Sequence, residues 1–161
     1  MARIPLIFTV NGVEQAEFIE PGALLVDVLR EKLGFTATKN GCGQGTCGAC
    51  TVMIDGEPKL SCLVLAQRVE GRAVETLEGL SSSGELHPLQ RAFADGFAIQ
   101  CGFCAPGMIL AAKWLLDRNP APSRADVVDA ISGNICRCTG YEPIIGAILA
   151  AAAEMRGRKS A

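Results

Sequence analysis

The chain has 161 residues, with 15 Lys and Arg against 17 Asp and Glu, a formal charge of −2. No long basic run is present, which argues against nucleic acid, whose backbone is met by clustered Lys and Arg. The longest apolar stretch, 144–153, is interrupted by Gly146 and is too short to span a bilayer.

The predicted elements fall into two halves, each with its own pattern. Residues 4–10 read as a strand, Asn11-Gly12 as a hairpin turn, and 13–19 as the partner strand. Residues 23–33 carry Leu25, Val28, Leu29 and Leu33 at helical spacing, with Gly34 placed to cap the end. Residues 38–50 are rich in Gly and Cys and too poor in apolar side chains to pack as an element. A short strand at 51–54, the turn Asp55-Gly56, a return strand or its helical end at 59–65, and a last strand at 73–77 follow.

Composition shifts at 78–86, a polar segment of small residues that reads as a linker. Beyond it the pattern is helical. Helices are predicted at 88–97, at 106–118 with Pro106 in the first turn, at 123–131 with Ser123 and Asp126 as a capping signal, and at 142–155. Four short helices of this kind could pack as a bundle. In the alanine-rich stretch 147–153, a subunit interface and a plain core helix are equally consistent with the residues.

Eight cysteines and one histidine, His87, shape the chemistry. The N-terminus shows no signal-peptide core and no twin-arginine pair, so a cytoplasmic location is expected. In a reducing compartment eight cysteines read as metal ligands or reactive thiols rather than four disulfides. Cys42-x4-Cys47-x2-Cys50, with Cys62 further on, matches the plant-type ferredoxin spacing for a [2Fe–2S] cluster. Gly41, Gly43, Gly45 and Gly48 let such a loop wrap closely around an inorganic core. Structural zinc is a poorer fit, because its usual knuckles are paired CxxC motifs.

The second group, Cys101-x2-Cys104 with Cys136-x-Cys138, lies at predicted helix ends, where free N–H groups favour thiolates. Alone, Cys101-x2-Cys104 would also suit a thioredoxin-like pair, but no βαβ pattern surrounds it. His87, before Pro88, reads as a cap or solvent contact. Trp114 and Phe103 read as packing residues and Lys39 as a solvated charge. Tyr141 reads as an anchor of the last helix, and Arg137 as a charge beside the cluster or a cofactor phosphate.

Three stretches together resemble one family: Gly41-Cys42-Gly43-Gln44-Gly45-Thr46-Cys47-Gly48-Ala49-Cys50, Gln100-Cys101-Gly102-Phe103-Cys104-Ala105-Pro106-Gly107-Met108, and Gly133-Asn134-Ile135-Cys136-Arg137-Cys138-Thr139-Gly140-Tyr141. They are similar to the signatures of the small iron–sulfur subunit of the molybdenum hydroxylase (xanthine oxidase) family. The resemblance covers nearly the full chain; Ala105, where many relatives carry Thr, is the one visible departure. It implies an α+β fold, with an N-terminal plant-type ferredoxin-like β-grasp domain (1–78) followed by a C-terminal four-helix-bundle [2Fe–2S] domain (79–161).

The same resemblance implies two [2Fe–2S] clusters on Cys42, Cys47, Cys50, Cys62 and on Cys101, Cys104, Cys136, Cys138. Gln100 and Cys138 would meet a molybdopterin, expected as the cytosine dinucleotide, held by a large subunit. A medium subunit would carry FAD, and the assembly would be a dimer of heterotrimers. Electrons would pass singly from the molybdopterin centre through the helical-half cluster and the ferredoxin-like cluster to FAD. No catalytic acid or base is expected on this chain, and the substrate would be chosen by the large subunit. The competing readings are a free-standing ferredoxin-like carrier or redox sensor, and a zinc-binding module. A carrier is often strongly acidic, so the weak net charge favours a fixed subunit.

Overall fold

The structure, a computed structural model, describes residues 2–81 and 84–159. Two strands, β1 (Ile4–Val10) and β2 (Val13–Ile19), pair antiparallel in full register from Ile4 opposite Ile19 to Val10 opposite Val13. The turn works because Asn11 and Gly12 both take positive φ, 53° and 80°, the geometry a two-residue hairpin needs. Leu6, Phe8 and Val10 point into the core while Ile7 faces outward, the period-two alternation of a strand with one covered face.

The predicted helix at 23–33 is shorter and wider than its spacing suggests. It opens as α1 (Leu25–Asp27) and continues as a π-helical turn, Val28–Lys32, closed by the Leu33 amide donating to Val28 O at 3.1 Å. Strand β3 (Thr51–Ile54) pairs with β4 (Glu57–Leu60) and with β5 (Ala73–Glu75), both antiparallel, and β5 runs parallel to β1. The sheet order is β2-β1-β5-β3-β4. At 59–65, expected as a return strand or its helical end, β4 ends at Leu60 and a short 3-10 turn, Ser61–Leu63, delivers Cys62.

Four further helices follow: α2 (Pro88–Asp95), α3 (Ala105–Arg118), α4 (Arg124–Ile131) and α5 (Glu142–Lys159). Between the halves, the predicted linker 78–86 is described in part, and its Ser82 and Ser83 lie outside the described residues. Leu89, Phe93, Met108, Val127, Ile144 and Ile148 lie in the helical core, separate from the sheet core of Leu6, Phe8, Ile19, Leu25, Val52 and Ile54. Ala147, Ala151 and Ala152 are buried in that helical core, so α5 is a packing helix over this stretch. Among the described residues no helix is long and apolar enough to cross a membrane.

The expected architecture, a ferredoxin-like β-grasp domain followed by a full four-helix-bundle domain, is corrected by this arrangement. The described residues form one small two-part unit, a five-stranded sheet with five α-helices. Helices α2 and α4 have eight residues each, little more than two turns, and α1 is a single turn. α3 does not belong to the helical half alone. All eight residues of 105–112 are buried, so no face of that stretch is left for solvent, and the helix packs on β3 and β4 as well as on α2 and α4. β3 is accordingly buried at all four positions, with Val52 and Ile54 toward the sheet core and the alternate positions under α3.

Candidate metal centres

The first thiol group sits where a glycine-rich loop leaves α1 and enters β3. Gly43, Gly45 and Gly48 all take positive φ (63°, 79° and 70°), a conformation that costs an L side chain energy. The bend turns amides onto sulfur: the Gln44 and Thr46 N–H groups point at Cys42 Sγ, 3.5 and 3.3 Å away. The Thr46 hydroxyl, with the Gln44 amide next, holds the Cys42 thiol down to about 5. Cys42 lies beside Cys47, and Cys50 beside Cys62. Cys50 and Cys62 are buried against Val26, and burial pushes the Cys50 thiol up to about 11. Ser61 fastens this second pair, its amide and hydroxyl both donating to Cys50 O, at 3.2 and 2.7 Å.

The second group converges from two helix-entry loops. Cys101 and Cys138 are exposed, with their sulfurs 3.5 Å apart, while Cys104 lies beside the buried Cys136. Burial pushes Cys104 up to about 12. Burial also works against the Cys136 thiolate, but the Thr139 hydroxyl (3.1 Å) and amide (3.4 Å) outweigh it and hold the thiol below its usual value. The Phe103 amide lowers Cys101, and Cys101 in turn raises Cys138. In both pairs one thiol is held low by hydrogen bonds and its neighbour high, Cys104 chiefly by burial and then by Cys136, and Cys138 chiefly by Cys101, so a second thiolate in each pair meets a penalty. A cation between them removes that penalty.

These residues fit a two-iron, two-sulfide cluster at each place. The donor set is sulfur throughout, all eight thiols are free, and each set divides into two pairs. His87 is elsewhere: its Nδ1 accepts from the Leu89 amide at 3.2 Å, and its own amide donates to Gln90 Oε1, so it caps α2 as expected.

The two sets are neighbours. Cys47 lines one cavity of about 250 Å3 together with Cys101, Cys104, Cys136 and Cys138. Gly41 passes between Cys47 and the Phe103 ring so closely that a Cβ there would stand 3.1 Å from each. Gln100 is exposed next to Cys101, and Phe103 and Ile135, both exposed apolar side chains, border the same mouth. Arg137 is exposed between Cys136 and Cys138. Trp114 lies under the Arg118 guanidinium, 4.6 Å from its ring centre.

Three residues important to this geometry were not singled out for it by sequence reasoning. The Tyr141 hydroxyl accepts from the Cys136 amide at 2.9 Å, so Tyr141 orients the second thiol loop besides starting α5. Thr139 contacts Cys136, and the buried Asn134 reaches Gly48 O. All three lie inside the quoted third motif, which was the only available signal.

Comparison with known proteins agrees with the two-part site. Residues 8–78 match a 2Fe-2S iron-sulfur cluster binding domain and residues 76–149 a [2Fe-2S] binding domain. The chain is 45% identical to the nicotinate dehydrogenase small FeS subunit of Eubacterium barkeri, over 92% of this chain and 94% of that one. It is 48% identical to the aldehyde oxidoreductase of Megalodesulfovibrio gigas over 97% of this chain, but it spans only 18% of that longer protein. The solved structure of quinoline 2-oxidoreductase from Pseudomonas putida 86 superposes with a TM-score of 0.93 at 48% identity, covering 98% of both chains. Two relatives matched along 94% and 88% of their length are named as small subunits, which does not favour a free-standing carrier. With two [2Fe–2S]-binding parts and full-length relatives of this kind, the chain belongs to the small iron–sulfur subunits of the molybdenum hydroxylase (xanthine oxidase) family, the electron-transfer component of an oxidoreductase.

Proposed function

We propose that Cys42, Cys47, Cys50 and Cys62 hold one [2Fe–2S] cluster and Cys101, Cys104, Cys136 and Cys138 the other. The observation that carries this is the division of each set into two contacting sulfur pairs, one pair for each iron. Bound there, the clusters supply one-electron oxidation and reduction. The chain's own residues hold the sulfurs, turn the Gln44, Thr46 and Thr139 amides onto them, and bury Cys50, Cys62 and Cys136 away from water. The division at 78/79 into two cluster-binding parts is supported by the two matched ranges, which meet at 76–78.

The proposed partners are those that the family resemblance implies. A large molybdopterin-binding subunit meets the Cys101–Cys138 end, with Gln100 and Cys138 at the pterin, as the cytosine dinucleotide. The exposure of Gln100, Cys101 and Cys138 beside Phe103 and Ile135 supports this. A medium subunit with FAD meets the other end, in a cytoplasmic dimer of heterotrimers. Electrons run from the pterin end to the FAD end, and substrate choice belongs to the large subunit.

The test is iron and acid-labile sulfide analysis of the purified complex, with EPR after dithionite reduction. About four irons and four sulfides per chain with two distinct signals are expected. Cys50→Ser and Cys136→Ser should each remove a different signal. A single signal in the unaltered protein, or zinc without any, rejects the reading.

A further inference from the structure

We infer that Asn134 is a positioning residue that fixes the separation of the two thiol sets by holding the Gly48 carbonyl. This rests on the cluster assignment above. Asn134 is 6% exposed, and its backbone amide is tied to Ile131 O at 2.9 Å. Its side-chain Nδ2 donates to Gly48 O at 2.9 Å. Gly48 stands between Cys47 and Cys50, and Asn134 two residues before Cys136, so this one bond joins the two cysteine loops.

The receiving carbonyl is held from its own side as well. Gly48 O also accepts from the Thr51 amide at 3.1 Å and the Thr51 hydroxyl at 2.7 Å, so its direction is set before Asn134 reaches it. Immediately beside it, the Ile135 amide donates to Cys47 O at 2.9 Å, a second link between the same loops.

The third cysteine-bearing segment closes the junction. Gly107 follows Cys104 by three residues in the first turn of α3. A Cβ on Gly107 would overlap Gly48 O and stand 2.9 Å from Asn134 Nδ2. A Cβ on Gly48, at φ +70°, would overlap the Gly133 carbonyl oxygen. The segments bearing Cys47, Cys104 and Cys136 therefore meet backbone to backbone, and the Asn134 carboxamide is the side chain placed between them. The contact leaves no room for a Cβ at Gly48 or Gly107, and Asn134 supplies Gly48 O with a donor from the second cysteine loop, beside the two that Thr51 supplies from its own side.

With a cluster held by each set, one-electron exchange between them would make and break no bond to the chain, so the spacing of the two sets would govern it. The junction is the device that keeps that spacing short. It is tested on the holoprotein by low-temperature EPR of the fully reduced state, reading the magnetic interaction between the two clusters, with iron and sulfide content measured on the same samples. Asn134→Ala removes the donor, and Gly107→Ala forces the junction open from the opposite side. Both should keep the wild-type iron and sulfide content while the interaction between the signals is weakened or lost. A fully loaded variant with an unchanged interaction overturns the inference. So does loss of iron from either variant, which would make the junction a requirement for folding. Wild-type protein without clusters rejects the underlying cluster assignment, and the iron content tells that failure apart.

Discussion

The Cys136 sulfur accepts from the Thr139 amide and lies within bonding distance of its hydroxyl, while the Cys136 amide donates to the Tyr141 hydroxyl at 2.9 Å. One tight turn thus orients the thiol from both ends. Tyr141→Phe leaves that part-buried amide without its acceptor. Stability is expected to fall by about 1–3 kcal/mol, seen as a lower midpoint of thermal unfolding with the same spectral signals at low temperature. His87 carries a pH prediction. Burial first, then the Lys113 charge, holds its imidazole below the usual range, and its neutral Nδ1 is the acceptor that caps α2. Below the unfolded value of about 6.5 the unfolded chain binds a proton that the fold resists. The His87 contribution is therefore complete above that value and is lost as pH falls through the lower folded pKa. Melting temperature measured against pH should decline on the acid side, and His87→Asn, which keeps a capping acceptor, should flatten that part of the decline. All eight thiols and the cap at His87 were legible in the sequence, because spacing along the chain defines them. The Tyr141 hydroxyl bond was not, since it exists only once residues 136–141 fold back on themselves.

At the scale of elements, the hairpin, the strand 51–54 and the helices α2 to α5 follow local signals closely: Asn11-Gly12 at the turn, Pro at the first turns, and Ser123 with Asp126 as a reciprocal cap. The segment 23–33 departs from its helical spacing, and its five-residue Leu33–Val28 bond widens the turn just before the glycine-rich loop. The loop itself is legible as a thiol cradle, but which glycine tolerates no side chain is not. Gly48→Ala combines positive φ with overlap on the Gly133 carbonyl oxygen. It is expected to cost about 1–3 kcal/mol and to lower the urea midpoint of the loaded protein. Gly43→Ala, whose added Cβ would meet only Asn40 Oδ1 at 3.8 Å, bears the strain of φ alone and should cost less.

For the molecule as a whole, the two halves are joined by several links of unequal weight. Arg118 at the end of α3 pairs with Glu57 on β4, but both side chains are about half exposed, 46% and 49%. Glu57→Ala is therefore expected to change unfolding free energy by no more than about 1 kcal/mol, measured by urea titration at moderate salt. Removing buried contacts of α3 is another matter: Met108 is fully buried in the helical core, and Met108→Ala should cost about 2–5 kcal/mol in the same titration. The sequence by itself placed the cysteines in two groups and most strands and helices in their order along the chain, because spacing and local patterning carry these, while three quoted motifs carried the family resemblance. Only the tertiary structure decided that α3 covers the second face of β3, so that the helical half is part of one two-part unit instead of a bundle of its own. It also decided that Cys101 meets Cys138 and that Asn134 reaches Gly48, 86 residues away. Contacts of that range depend on how packed faces come together, and no local periodicity along the chain encodes them.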